Sequence, residues 1–219
     1  GKMVRQLTKG KWDVTKVYGY NPKRKMVFFQ AAKTSPMDRN ILAVNLKGRL
    51  MNISSRKGTN DGVFSKSFDY YINTWSDANT PPYITVNDSK GKTIRVLEDN
   101  HAFVEKMDQY DLSKQKFFTL KSPEYKLPDG KQVDLNAWII KPSNIDSNKK
   151  YPVLMYVYGG PGAQTVNNAW SWSNYFWFQM LAEKEIVVIS VDNRGTGARG
   201  ELFKKMTYKE LGRYEIADQ

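Results

Sequence analysis

The sequence predicts a mixed fold, an antiparallel β half over residues 1 to about 100 and an α/β half from there to residue 219. Three observations carry this. Eight short strand candidates, each bounded by turn residues, fill the first hundred positions in two runs of four. Beyond residue 150, continuous apolar runs end at glycines and alternate with helical segments. Finally, +10 of the formal net charge of +12 falls in residues 1–100, where 18 Lys/Arg stand against 8 Asp/Glu. A step of that size marks a boundary.

The first run of strands is Trp12 to Tyr20, Lys25 to Ala32, Asn40 to Leu46 and Leu50 to Ser54. The breaks between them are Asn21-Pro22-Lys23, Ser35-Pro36-Met37-Asp38 and Leu46-Lys47-Gly48, residues that favour tight turns. The second run is Gly62 to Phe68, Tyr70 to Trp75, Tyr83 to Asn87 and Thr93 to Leu97. Four strands in roughly 40 to 45 residues is the spacing of a β-propeller blade. Two blades alone leave an apolar sheet face uncovered, so either a sandwich forms or further blades lie upstream of Gly1.

A short helix is expected over Asp99 to Met107, with Asp99 or Asn100 as N-cap. Strands follow at Phe117 to Lys121 and Val133 to Lys141, joined by a Pro128-Asp129-Gly130 turn. The run Pro152 to Tyr158 and the run Glu185 to Val191 read as buried strands of a mainly parallel sheet, covered on both faces. Trp170 to Glu183 is aromatic and partly helical, and a last helix begins at Thr207 or Arg213.

Composition removes several chemistries. With no cysteine there is no disulfide framework, no cysteine zinc site and no thiol nucleophile. With one histidine, a site needing two histidine ligands cannot come from one copy of the chain. No run reaches the roughly 18 to 20 apolar residues of a membrane helix. No signal peptide is visible at Gly1-Lys2-Met3-Val4-Arg5, and the chain begins in mid-pattern, as it would after removal of a leader. The lysines are scattered beside turns rather than grouped, which argues for a solvated basic surface and against a nucleic-acid footprint.

Four features bear on chemistry. No Gly-x-Ser-x-Gly nucleophile elbow occurs. His101 would have to serve any serine triad, yet it stands at a helix start far from the glycine turns and reads as an exposed neighbour of the cap. Gly195-Thr-Gly197-Ala-Arg-Gly200 fits a dinucleotide fingerprint but lacks the second strand with its acidic end, so a plain glycine turn is the simpler reading. Tyr158-Gly-Gly-Pro-Gly162 ends a strand where a sheet's carboxyl edge can aim a hydroxyl into a cleft. Tyrosine is a neutral donor at pH 7 and can stabilise an oxyanion there; a core tyrosine beside a tight turn is the bland alternative.

Taken in order, Arg95-Val-Leu-Glu-Asp-Asn100, Tyr151-Pro-Val-Leu-Met-Tyr-Val-Tyr-Gly-Gly-Pro161, Val191-Asp-Asn-Arg-Gly-Thr-Gly197 and Leu211-Gly-Arg-Tyr-Glu-Ile-Ala-Asp-Gln219 resemble the dipeptidyl peptidase IV group of the prolyl oligopeptidase family of serine peptidases. The likeness extends upstream through Leu7 to Val14 and Asp38 to Val44. It implies the C-terminal blades of a β-propeller plus a connecting helix over residues 1–111, and the N-terminal part of an α/β-hydrolase domain over residues 112–219. It implies release of N-terminal dipeptides, Xaa-Pro or Xaa-Ala, from peptide substrates with a free N-terminus. Tyr158 matches the family's oxyanion-binding tyrosine, whereas Asp192 and Arg194 match a turn read as structural. The nucleophile, acid and base fall outside this chain, so the chain alone is expected to be inactive. The resemblance also implies a periplasmic or cell-surface location. Strand edges left unpaired at Val153 to Tyr158 and Ile186 to Val191 lead to the expectation of a homodimer, or a rearranged packing, that covers them. No cofactor, no metal and no nucleic-acid partner are expected. The competing reading is a non-catalytic β-rich interaction module that uses the basic half.

Overall fold

The computed structural model describes residues 2–126 and 132–219, with side chains left out of account at residues 123–126. The expected Pro128-Asp129-Gly130 turn lies outside the described residues.

Two four-stranded antiparallel meanders come first. One comprises β1 (Val14–Asn21), β2 (Met26–Ala31), β3 (Asn40–Asn45) and β4 (Leu50–Asn52), adjacent in that order. The other comprises β5 (Thr59–Phe64), β6 (Tyr70–Ser76), β7 (Tyr83–Asp88) and β8 (Thr93–Glu98). All eight expected strands form. β5 starts earlier than expected because Asn60, which reads as a turn residue, is buried with its Nδ2 donating to the carbonyls of Arg39 and Arg56, 3.0 Å each.

The two sheets pack face to face. Phe28, Ile41, Ala43 and Ile53 from the first meet Tyr71 from the second. Tyr18, Phe28, Phe64, Phe68 and Tyr71 stack and tilt against one another at centroid distances of 4.8–5.4 Å, offset geometries that suit aromatic quadrupoles. The opposite face of the first sheet is covered by Leu7 and Trp12. β3 is therefore buried on both sides, which is why it reads as the unbroken run Ile41-Leu-Ala-Val44. The outer face of the second sheet is open: Val63, Tyr70 and Ile72 alternate with inward residues and are exposed, Val63 to 70%. The two sheets do not close into a ring.

After α1 (His101–Met107) comes a third sheet of β9 (Lys116–Lys126), β10 (Gln132–Ile140), β11 (Val153–Met155) and β12 (Val187–Val191), in the order β11-β12-β10-β9. The expected mainly parallel sheet is corrected here. Among the described residues only β11 and β12 run parallel, while β9–β10 and β10–β12 are antiparallel. The parallel pair is the one whose connection holds a helix, α2 (Ser173–Glu183), as a crossover requires. Both faces are covered at β10 and β12, one by Phe178 and Ala182 of α2 against Trp138, Ile140 and Val188, the other by Phe203 against Val133, Leu135, Ala137 and Val191. The expected buried strand from Pro152 to Tyr158 is corrected: only Val153–Met155 is strand, and Val153, Met155 and Val157 are exposed because β11 lies at the edge of the sheet. Among the described residues β12 is paired on both sides, leaving the short β11 at that edge. Two short helices, α3 (Glu201–Lys204) and α4 (Arg213–Asp218), complete the chain.

A loop over residues 163–172 joins the third sheet to the blades. Asn168 is its centre: its N–H donates to Met37 O (2.9 Å), its Nδ2 to Asp38 Oδ1 (2.9 Å), and its Oδ1 and carbonyl accept from Ala78 N (3.1 Å) and Thr59 Oγ1 (3.0 Å). Gln164 accepts from Arg39 and donates to Pro36 O at 3.0 Å. Asn79 and the backbone of Gln115 exchange a reciprocal pair at 3.1 and 2.9 Å.

Candidate active site

β11 and β12 are parallel neighbours, so their carboxyl ends emerge side by side and each is followed by a glycine turn. At the end of β11, the Tyr156 N–H still donates to Ile189 O (2.8 Å) and the Tyr156 ring packs on Phe178 at 5.3 Å. Tyr158, two residues on, has left the sheet and is 71% exposed. The chain then reverses through Gly159 and Gly162, with φ of +78° and +75°, angles that suit glycine.

The two turns are stitched together. Asn193 Nδ2 donates to Gly159 O at 3.1 Å, Gly162 N to Gly195 O at 2.9 Å, and Gly197 N to Ala163 O at 3.2 Å. Beneath them lies a buried polar layer. The Asp192 carboxylate accepts from the N–H groups of Thr165 (2.9 Å) and Val166 (3.1 Å) and from Gln164 Nε2 (3.2 Å). Burial pushes the Asp192 pKa up, outweighing those donors, which pull it down. Arg194 and Asp218 form an ion pair whose side chains are both 0% exposed. Arg194 reaches the Asp218 carboxylate through Nε (3.0 and 2.9 Å), Nη2 (2.6 Å) and its own N–H (2.8 Å), and Ser122 Oγ adds a donor at 2.8 Å. The guanidinium lies over the Tyr214 ring at 4.6 Å. Gln219 Nε2 donates to Asn193 Oδ1 (2.9 Å) and Val191 O (3.0 Å).

The other sequence-level candidates fare differently. His101 is exposed on α1, with Nε2 3.2 Å from Glu105 one turn along. The glycines of the Gly195–Gly200 fingerprint are turned inward. A Cβ on Gly195 would meet Thr207 Cγ2 at 2.6 Å, and one on Gly197 would meet Gly162 O at 2.8 Å. Their close approach is to this chain's own atoms, and the helix that follows has four residues, so no cradle for a pyrophosphate is presented. The sequence motifs contain Asp192, Arg194 and Asp218 but do not reveal that Arg194 and Asp218 pair, and sequence reasoning misses Asn168 and Gln164 altogether. These residues sit in irregular loops, where no periodicity marks burial. Among the described residues no three His, Asp or Glu side chains cluster as metal ligands, and no helix is long and apolar enough to cross a membrane.

Two family models match parts of this chain, and Tyr158 lies between the two matched ranges. The dipeptidyl peptidase IV N-terminal region matches residues 1–82, and the prolyl oligopeptidase family matches residues 171–219. These matches support a fragment that runs from a dipeptidyl peptidase IV N-terminal region into the start of a prolyl oligopeptidase family domain. The curated relatives and solved structure that the chain resembles below are dipeptidyl peptidases 4. It is 36% identical to dipeptidyl peptidase 4 of Arthroderma otae and 34% identical to that of Trichophyton rubrum, in each case over 97% of this chain and 27% of the relative. The crystal structure of Porphyromonas gingivalis dipeptidyl peptidase 4 superposes with a TM-score of 0.88 at 44% identity, covering 99% of this chain and 29% of that one. The chain thus spans little more than a quarter of the length of the proteins it matches.

Proposed function

We propose that this chain is the part of a serine dipeptidyl peptidase that carries the oxyanion donor, Tyr158. The observation that supports this best is the placement of Tyr158, exposed at the carboxyl edge of β11 on a turn fixed by a buried polar layer. A neutral hydroxyl held there can donate to a carbonyl oxygen as it becomes an oxyanion. In this reading the longer protein releases Xaa-Pro or Xaa-Ala dipeptides from peptides with a free N-terminus. Its nucleophile, acid and base lie outside residues 1–219, which alone are inactive. Residues 1–111 are the last propeller blades with their connecting helix, and residues 112–219 begin the α/β-hydrolase domain. The full protein is an exported homodimer of the periplasm or cell surface.

The test is Tyr158→Phe in the full-length peptidase, assayed on a Gly-Pro amide. Loss of one oxyanion donor lowers kcat by about 10²–10³ with little change in KM. An unchanged kcat would remove Tyr158 from the mechanism. Cleavage of the same amide by purified residues 1–219 would refute the inactivity of the chain alone.

A further inference from the structure

We infer that Gly160 makes room for the Tyr158 ring and so sets the direction of its hydroxyl. This rests on the oxyanion role proposed for Tyr158. Most glycines of the two turns are explained by backbone angle, but Gly160 is not. Gly159 and Gly162 have φ of +78° and +75°, whereas Gly160 lies outside the left-handed region, where an alanine backbone is not strained. Its requirement is spatial. A Cβ at position 160 would lie 2.8 Å from Tyr158 Cε1, 3.4 Å from Cδ1 and 3.7 Å from Cζ. The first distance is below any real carbon–carbon contact, so the ring occupies the volume that a side chain at 160 would fill.

The backbone next to Tyr158 is also held. Asn193 is fully buried, and its Nδ2 donates to Gly159 O (3.1 Å) and to Arg194 O (2.7 Å) while its Oδ1 accepts from Gln219 (2.9 Å). The main chain fixed by Asn193 and the ring laid over Gly160 set where the side chain lies. Because Tyr158 is 71% exposed, an added Cβ at 160 meets a ring that can swing into solvent. Gly160→Ala therefore moves the hydroxyl without disturbing the core. Gly160 and Asn193 are positioning residues: neither touches the reacting atoms, and both act through Tyr158.

The experiment is a double-mutant cycle in the full-length peptidase with Gly160→Ala, Tyr158→Phe and the combination, reading kcat, KM and Tm. Misplacing a catalytic group by about 1 Å costs on the order of 10²-fold, so Gly160→Ala lowers kcat by about that factor with KM and Tm close to the parent's. In the Tyr158→Phe background the same change has no further effect on kcat, because the group it displaces is gone. A merely structural role predicts the opposite, a multiplicative loss in both backgrounds together with a fall in Tm, and would overturn the assignment. So would parental kcat in Gly160→Ala while Tyr158→Phe is impaired. If Tyr158→Phe itself keeps full kcat, the oxyanion reading fails first, a result legible whatever Gly160→Ala does. Should Gly160→Ala not fold, Asn193→Ala reads the same turn through its other contact, with a kcat loss again confined to the Tyr158 background.

Discussion

The space between the two blades and the layer beneath the two glycine turns are both buried but differently made. Between the blades, Phe28, Ile41, Ala43, Ile53 and Tyr71 interlock as side chains from opposed sheets. Beneath the turns, Asp192, Asn193, Arg194 and Asp218 are buried and hold loop backbone by hydrogen bonds. Apolar contact is non-directional, so it rewards compactness and tolerates small shifts. A buried donor or acceptor has few satisfactory geometries and is costly when any partner leaves. Apolar contact dominates the blade core, with Asn60 as a polar exception, whereas the turn that carries Tyr158 is held by the second kind.

The contrast can be broken most sharply at Asp218. Asp218→Ala leaves the Arg194 charge buried without its carboxylate, a change expected to cost about 3–5 kcal/mol in urea unfolding. If the loss is below about 1 kcal/mol, the layer is not what fixes the turns. Asn168→Ala removes the amide that bridges Asp38 and Ala78, and a loss of about 1–3 kcal/mol is expected from the groups left unpaired. A proteolysis rate at the 163–172 loop that rises in step would localise the effect to the seam. Ile41→Val deletes one methylene from the blade core and should cost about 0.5–1.5 kcal/mol, with kcat of the full-length enzyme unchanged.

The smallest effect is a slope. Burial raises the Asp192 pKa, so the folded state binds a proton more tightly than the unfolded one. Stability from this group is then greatest at low pH and falls as pH rises from the unfolded value through the raised one. Asp192→Asn keeps an acceptor for Thr165 and Val166 but abolishes the titration. The stability of Asp192→Asn relative to the parent should increase with pH across that window, and a flat difference in pH-dependent urea unfolding would contradict the shift.

The same contrast explains what is legible in the sequence. Strands of the blades announce themselves through apolar alternation and turn residues, and all eight expected strands lie within a few residues of the observed ones. The discrepancy at β5 comes from Asn60, a polar residue buried by hydrogen bonds rather than by hydrophobicity. The third sheet misleads in direction because Ile186-Val-Val-Ile189 is apolar whichever way its neighbours run. Tyr158 can be singled out, since a strand followed by glycines is local information. What holds Tyr158 cannot, because the Gly159 carbonyl and the Asn193 amide are 34 positions apart and both lie in irregular backbone.

The partnership of Arg194 with Asp218 also imposes an order of events during synthesis. Every contact that joins the two blade sheets through Phe28, Ile41 and Tyr71 lies within the first hundred residues, so that core can condense while the rest of the chain is still being made. Arg194 must stay in water until its carboxylate, 24 positions further on, has left the ribosome. The turn that carries Tyr158 is thus set late, and a nascent chain stalled between the two residues would hold finished blades beside an unfinished sheet edge.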